Sequence, residues 1–135
     1  MVCWFQRTVF LIDSYYTLIN TVHKIGAMRM NVQFKKGVLD LCVLSLTAWE
    51  DRYGYELAVA MSSKFEVAVG SVYPLLNRLT QEGYFTTYLR ESTEGPPRKY
   101  YKLTPLGHQH LMELVREWRT FSHAVDELIK EGVER

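Results

Sequence analysis

At 135 residues the chain is about one domain's worth of polypeptide, which excludes a multidomain enzyme. With 47% hydrophobic, 13% aromatic and 23% charged residues it can bury a sizeable core, which excludes disordered, collagen-like and disulfide-scaffold classes. Sixteen basic residues against fifteen acidic leave a formal charge of +1, so a nucleic-acid site has to be local, not a polycationic coat.

The two cysteines are Cys3 and Cys42, and Cys42 sits in the apolar run Leu41-Cys42-Val43-Leu44, where a buried reduced thiol is expected and a disulfide is not. A reducing, cytoplasmic setting follows as the expectation. Asp13, Asp40, Glu50 and Asp51 interrupt every apolar stretch before it reaches the roughly 20 residues of a membrane-spanning helix. The leading residues Met1-Val2-Cys3-Trp4-Phe5 carry no positive charge, so no export signal and no membrane partner are expected.

In chain order, Trp4, Thr8, Leu11, Tyr15, Leu18, Val22 and Ile25 form a helical stripe, widened by Phe5, Val9, Ile12, Tyr16 and Ile19 and stopped at Gly26. Residues 1–29 therefore read either as a helix burying a broad face or as a dispensable N-terminal extension. The run from Lys35 to Trp49 is longer than a strand and almost uniformly apolar, which predicts a buried central helix. Glu50 to Gly54 breaks it, and a short helix resumes over Tyr55 to Ser63 with Leu57, Ala58 and Met61 on one face.

A third helix opens near Val69, with Ser71 as its expected N-cap, Pro74 within about its first turn and Gly83 as its stop. Its apolar residues Val72, Leu75, Leu76 and Leu79 cluster in helical angle. Gly70, Pro74, Asn77 and Gln81 are left on the opposite side, flanked by Tyr73 and Arg78, with no carboxylate among them. A helix of this width fits the major groove of DNA, where Asn and Gln pair with adenine edges and Arg with guanine or phosphate. The amides at its Ser71 end are expected to point outward and to suit a phosphate oxygen.

The hydrophobic period then changes from 3.6 to 2. Tyr84 to Arg90 and Lys99 to Leu103 read as a two-stranded hairpin around the polar tip from Glu91 to Arg98, where Arg98 and Lys99 supply cations beside a stiff Gly95-Pro96-Pro97. Thr104-Pro105 signals an N-cap followed by proline at the first helical position, and the last helix runs to Glu131 with Gly132 as its stop. Within it Leu111, Trp118 and Val125 recur every seven residues, as do Leu114, Phe121 and Leu128 three places later. This a/d seam predicts pairing with a second copy of the chain. Trp118, mid-seam, reads either as a bulky core residue or as half of a slot between protomers that stacks a flat aromatic effector.

The fold class expected is mainly α with a small β-hairpin (α+β), a winged helix-turn-helix over residues 30–103 and a dimerisation helix over 104–132. Lys35-Lys36-Gly37, Tyr53-Gly54-Tyr55-Glu56-Leu57, Gly70-Ser71-Val72-Tyr73-Pro74-Leu75-Leu76-Asn77-Arg78-Leu79, Glu82-Gly83 and Arg98-Lys99-Tyr100-Tyr101 with Leu103-Thr104-Gly107 resemble the PadR family of bacterial transcriptional regulators, in the short subgroup with one C-terminal helix. The resemblance covers about residues 30 to 131. It implies a dimeric repressor that binds a promoter palindrome and is released by a small, often aromatic ligand or another signal. It carries Ser71, Tyr73, Asn77 and Arg78 onto the recognition helix, Arg98 and Lys99 onto the wing, and Trp118 onto a dimer cavity.

No enzyme reading competes. His23, His108, His110 and His123 lack metal-ligand spacing, and no phosphate loop or nucleophile motif is present, so neither cofactor nor metal is expected. The alternative is a winged-helix protein-interaction module without sequence-specific DNA binding. The small net charge conceals a division: Lys64 to Lys102 holds six basic residues against four acidic, a net of +2, and Leu103 to Arg135 holds four against six, a net of −2.

Overall fold

The computed structural model of the protein describes the backbone of residues 32–134 and the side chains of residues 37–134. The stripe expected between Trp4 and Ile25, and its stop at Gly26, lie outside the described residues. Over the described part the order is α1 (Val32–Leu46), β1 (Arg52–Tyr53), α2 (Gly54–Lys64), α3 (Val69–Gln81), β2 (Phe85–Arg90), β3 (Arg98–Leu103) and α4 (Pro105–Gly132). This is a winged helix-turn-helix followed by one long helix.

The helices form where the 3.6-residue pattern places them. Val43 and Leu44 of α1, Leu57, Ala58 and Met61 of α2, and Val72, Leu76 and Leu79 of α3 close one core with Phe85, Tyr101 and Leu111. α1 has the 15 residues of the apolar run but is shifted three residues toward the N-terminus, and the chain tightens at its end: the Thr47 and Ala48 amides donate to the Leu44 and Ser45 carbonyls, three residues back. The buried Thr47 hydroxyl donates to the Leu44 carbonyl at 2.9 Å. This exit turns Trp49 outward, and it is 97% exposed where the apolar run had placed it inside.

The wing is a three-stranded antiparallel sheet in the order β1-β3-β2, not the two-stranded hairpin expected. Arg52 and Tyr53 pair with Tyr101 and Tyr100, and β2 pairs with β3 from Phe85↔Leu103 to Arg90↔Arg98. A two-residue strand shows no alternation in the sequence, so only its partner reveals it.

The start of α3 also differs. Ala68 is the N-cap, without a side-chain capping bond, and Ser71 lies within the first turn, donating both its amide and its hydroxyl to the Ala68 carbonyl. The helix begins three residues earlier than a cap at Ser71 requires, and Pro74 falls in the second turn. Its missing N–H leaves the Gly70 carbonyl without an intrahelical donor, on an exposed face open to water.

The end of α3 follows the expectation. Gly83 adopts φ +84°, its amide donates to the Thr80 carbonyl and the Tyr84 amide to the Leu79 carbonyl, a Schellman closure that glycine permits at least cost. Thr104 joins this turn to α4, since its hydroxyl donates to the Gly83 carbonyl at 2.6 Å and accepts from the Gly107 amide at 2.9 Å. Gly107 packs so closely that any Cβ there would run into the Tyr84 carbonyl and the Leu103 side chain. The stacked rings of His110 and Tyr84, 4.3 Å apart, pin the same junction. The long helix is thus fixed to the end of α3 by backbone as well as by core packing.

Candidate nucleic-acid interface

α3 buries its apolar stripe and turns Gly70, Ser71, Tyr73, Pro74, Asn77 and Gln81 to solvent, with Leu75 half-buried. No acidic residue lies in its first turn. Asn77 and Gln81 are one turn apart in the middle and second half of this face, and Tyr73 stands on its flank. The Tyr73 hydroxyl is pushed up in pKa by burial, and neighbouring Tyr53 and Tyr55 add to the shift. This places the α3 flank against the tyrosines at the start of α2.

Arg78, expected on the other flank of this face, is engaged within the chain. Its guanidinium is held by Asp40 of α1 and by Glu82 one turn along α3, at 3.2 Å to each Glu82 oxygen. Burial pulls its pKa down, but the bonds to Asp40 and Glu82 outweigh that and raise it overall, so it is fully charged. Asp40, largely buried, would otherwise be a carboxylate with no counterion. In this position Arg78 links α3 to α1 and does not stand free on the exposed face.

The two wing cations also separate. Consecutive strand residues face opposite sides, and Arg98 lies over the Tyr53 ring at 5.1 Å while Lys99 lies over the Tyr101 ring at 5.6 Å. Arg98, Tyr53, Tyr100, Tyr88 and Arg90 share the outward face. Here Tyr88 and Tyr100 stack at 5.6 Å, Tyr100 lies 6.0 Å from Tyr53, and Arg90 sits 4.7 Å over Tyr100. The Tyr88 hydroxyl donates to Asp51 at 2.8 Å, and that bond raises its pKa. Sequence reasoning missed Arg90 and the tyrosine band, although pairing the two strands inward from the tip sets Arg90 opposite Arg98.

The matching family model is described as the transcriptional regulator PadR-like family and covers residues 43–113. The chain belongs to the PadR-like family. An uncharacterised protein of Lysinibacillus sphaericus is 35% identical over 103 residues, 73% of this chain and 94% of its own. The crystal structure of a PadR-like transcriptional regulator from Bacillus cereus is similar at 38% identity and a TM-score of 0.65, covering 73% of this chain and 97% of that one. A Streptococcus mutans protein of known structure is similar at 30% identity and a TM-score of 0.69, covering 78% and 95%. As a PadR-like protein the chain is a DNA-binding transcriptional regulator, not an enzyme.

The seam of this PadR-like chain divides along α4. Leu111 is 4% exposed in the chain's own core, and Leu114 packs against that core, so the expectation that the stripe faces a second chain from its first residue is corrected at Leu111. Beyond it Phe121 and Leu128 are 50% and 69% exposed, and Trp118, Val125 and Ile129 are exposed with them. Trp118 lines an open groove of about 280 Å³ between α1 and α4, with Gly37, Val38 and Leu41 on one wall and Leu114, Glu117 and Phe121 on the other. Among the described residues no helix is long and apolar enough to cross a membrane, and no group of three metal-ligating side chains occurs.

Proposed function

We propose that this PadR-like chain is a cytoplasmic repressor. In this reading it binds a promoter palindrome as a homodimer, residues 30–103 reading DNA and residues 104–132 pairing protomers, and a small planar aromatic effector releases it. The observation that carries the reading is the solvent face of α3, where Ser71, Tyr73 and Asn77 lie on an exposed surface without a carboxylate. Asn77 has the paired donor and acceptor that match an adenine edge in the major groove, and Tyr73 and Ser71 offer hydroxyls to the backbone. Arg98 supplies a wing cation, Lys99 faces the opposite side of the wing and is left out of the contact, and Arg78, gripping Asp40, ties the reading helix to α1.

The distal α4 residues Trp118, Phe121, Val125 and Leu128 form an apolar stripe of the kind that pairs helices, with Leu111 and Leu114 anchoring its proximal end to the core. The groove at Trp118 adjoins that stripe and has an aromatic wall for a flat ligand. Since α1 forms the opposite wall and also carries Asp40, a ligand there would act on the element that grips the reading helix.

The test is a gel shift with the sequence upstream of the chain's own gene against a scrambled duplex of equal length. Tighter binding to the upstream duplex, lost in Asn77→Ala, is the expected result. Equal binding to both duplexes would reject sequence-specific reading. Quenching of Trp fluorescence by planar aromatics that disappears in Trp118→Ala is expected for the effector slot.

A further inference from the structure

The outward face of the wing holds a second feature. Arg90 and Arg98 are direct cross-strand partners, so their positive charges stand opposite each other, an arrangement that repels on its own. Arg52 and Arg78, in the same reading module, each hold a carboxylate. Among the described residues no carboxylate pairs with Arg90 or Arg98. Each instead has its guanidinium over an aromatic ring, Arg90 over Tyr100 at 4.7 Å and Arg98 over Tyr53 at 5.1 Å, and the two rings are neighbours at 6.0 Å.

A guanidinium held over a ring keeps its charge and its fork of N–H donors, and the ring restricts its freedom, which suits it to an oxyanion. Two such forks side by side with no internal counterion make a site whose repulsion an anion relieves. The band of tyrosines joins this site to α3: Tyr53 neighbours Tyr55 at 6.2 Å, and both are electrostatic neighbours of Tyr73 on the α3 flank. Asp51, bound to Tyr88, sets a negative border on the far side of the band. A polyanion lying along α3 therefore meets the arginine pair by passing over Tyr73 and Tyr53.

We propose that Arg90 and Arg98, backed by Tyr100 and Tyr53, form a two-pronged clamp for backbone phosphates of the bound DNA, and that Lys99, on the opposite face, is not part of it. This rests on the DNA-reading function proposed above. The clamp holds phosphates and so contributes affinity without base preference.

The test measures binding of the full chain to a fluorescent duplex from upstream of its own gene, and to a scrambled duplex of equal length, by anisotropy over a salt series. Each neutralised phosphate contributes about 0.9 to the slope of log K against log salt. Arg90→Gln and Arg98→Gln should therefore each lower the slope by about 0.9 per bound protomer on both duplexes, leaving the ratio between duplexes unchanged and Lys99→Gln without effect on the slope. Should a glutamine variant melt early, Arg90→Lys and Arg98→Lys carry the test: the slope is kept with the charge, and affinity falls several-fold as the planar fork is lost. A wild-type chain that prefers its own duplex while the slope ignores Arg90 or Arg98, or while both lysine variants bind as wild type, overturns the clamp and leaves the DNA-reading function standing. A wild-type chain that binds neither duplex overturns the DNA-reading function itself.

Discussion

The reading module and the distal half of α4 use apolar residues in opposite ways. From Arg52 to Leu103 most large aliphatic side chains turn inward: Leu57, Met61, Leu76 and Leu79 seal a core with Phe85 and Tyr101, and the surface left over is mainly polar and charged groups and tyrosines, with Leu89 the exposed exception. Past Leu114 the same kinds of residue turn outward, with Phe121, Val125, Leu128 and Ile129 exposed along one helix. An apolar stripe on a helix shows that something is buried, and whether the chain or a second molecule buries it depends on where the domain ends. Here the boundary falls between Leu111 and Trp118, inside a single helix.

The largest break of this contrast is expected at the exported end. Charged replacement of Val125 and Leu128 together should abolish pairing in sedimentation equilibrium, since each buried anchor contributes roughly 2–4 kcal/mol to an interface and every 1.4 kcal/mol is about tenfold in affinity. The melting of the reading module should stay unchanged; dimers that persist would place the interface elsewhere. In the sealed region Leu76→Ala should cost about 2–5 kcal/mol in denaturant unfolding without altering the sequence preference of what remains folded.

Next in size is Arg78→Ala, which leaves Asp40 without its cation. Because the pair is partly open to solvent, a loss of about 1–3 kcal/mol is expected, with a coupling of the same sign in a double-mutant cycle with Asp40→Asn. A cost near zero would show that the clasp does not set the position of α3. Thr104→Val should cost roughly 1 kcal/mol by removing the cap that ties α4 to the end of α3.

The smallest effect is spectroscopic. Tyr73 and Tyr101 are raised chiefly by burial, and Tyr88 by its bond to Asp51. An ultraviolet titration should show these tyrosines ionising later than free tyrosine, near pH 10. A raised folded-state value stabilises the neutral form, so their contribution is complete below about pH 10 and is lost as pH rises through the folded values.

Much of this was legible in the sequence, for identifiable reasons. The switch from a 3.6-residue to a two-residue period at Gly83, the Thr104-Pro105 signal and the heptads of α4 are strong local patterns, and each marks a real element. The parts that were not legible are relations between distant residues. Asp40 and Arg78 are 38 residues apart, and nothing local marks them as a pair. β1 is too short to alternate, and although the start of α3 near Val69 was legible its cap was not, since Ala68 takes that place without a side-chain bond and Ser71 bonds back to it from inside the first turn. The opposed faces of Arg98 and Lys99 were legible from strand alternation alone, and their adjacency in sequence obscured it.

The most direct test of the account is hydroxyl-radical footprinting of the wild-type chain on the region upstream of its own gene. A dimer paired through α4 with one α3 per protomer in the major groove should protect two half-sites on one face of the duplex, about 34–36 Å apart or a multiple of it. A single protected patch, or protection indifferent to Asn77→Ala and to charges placed at Val125 and Leu128, would contradict it.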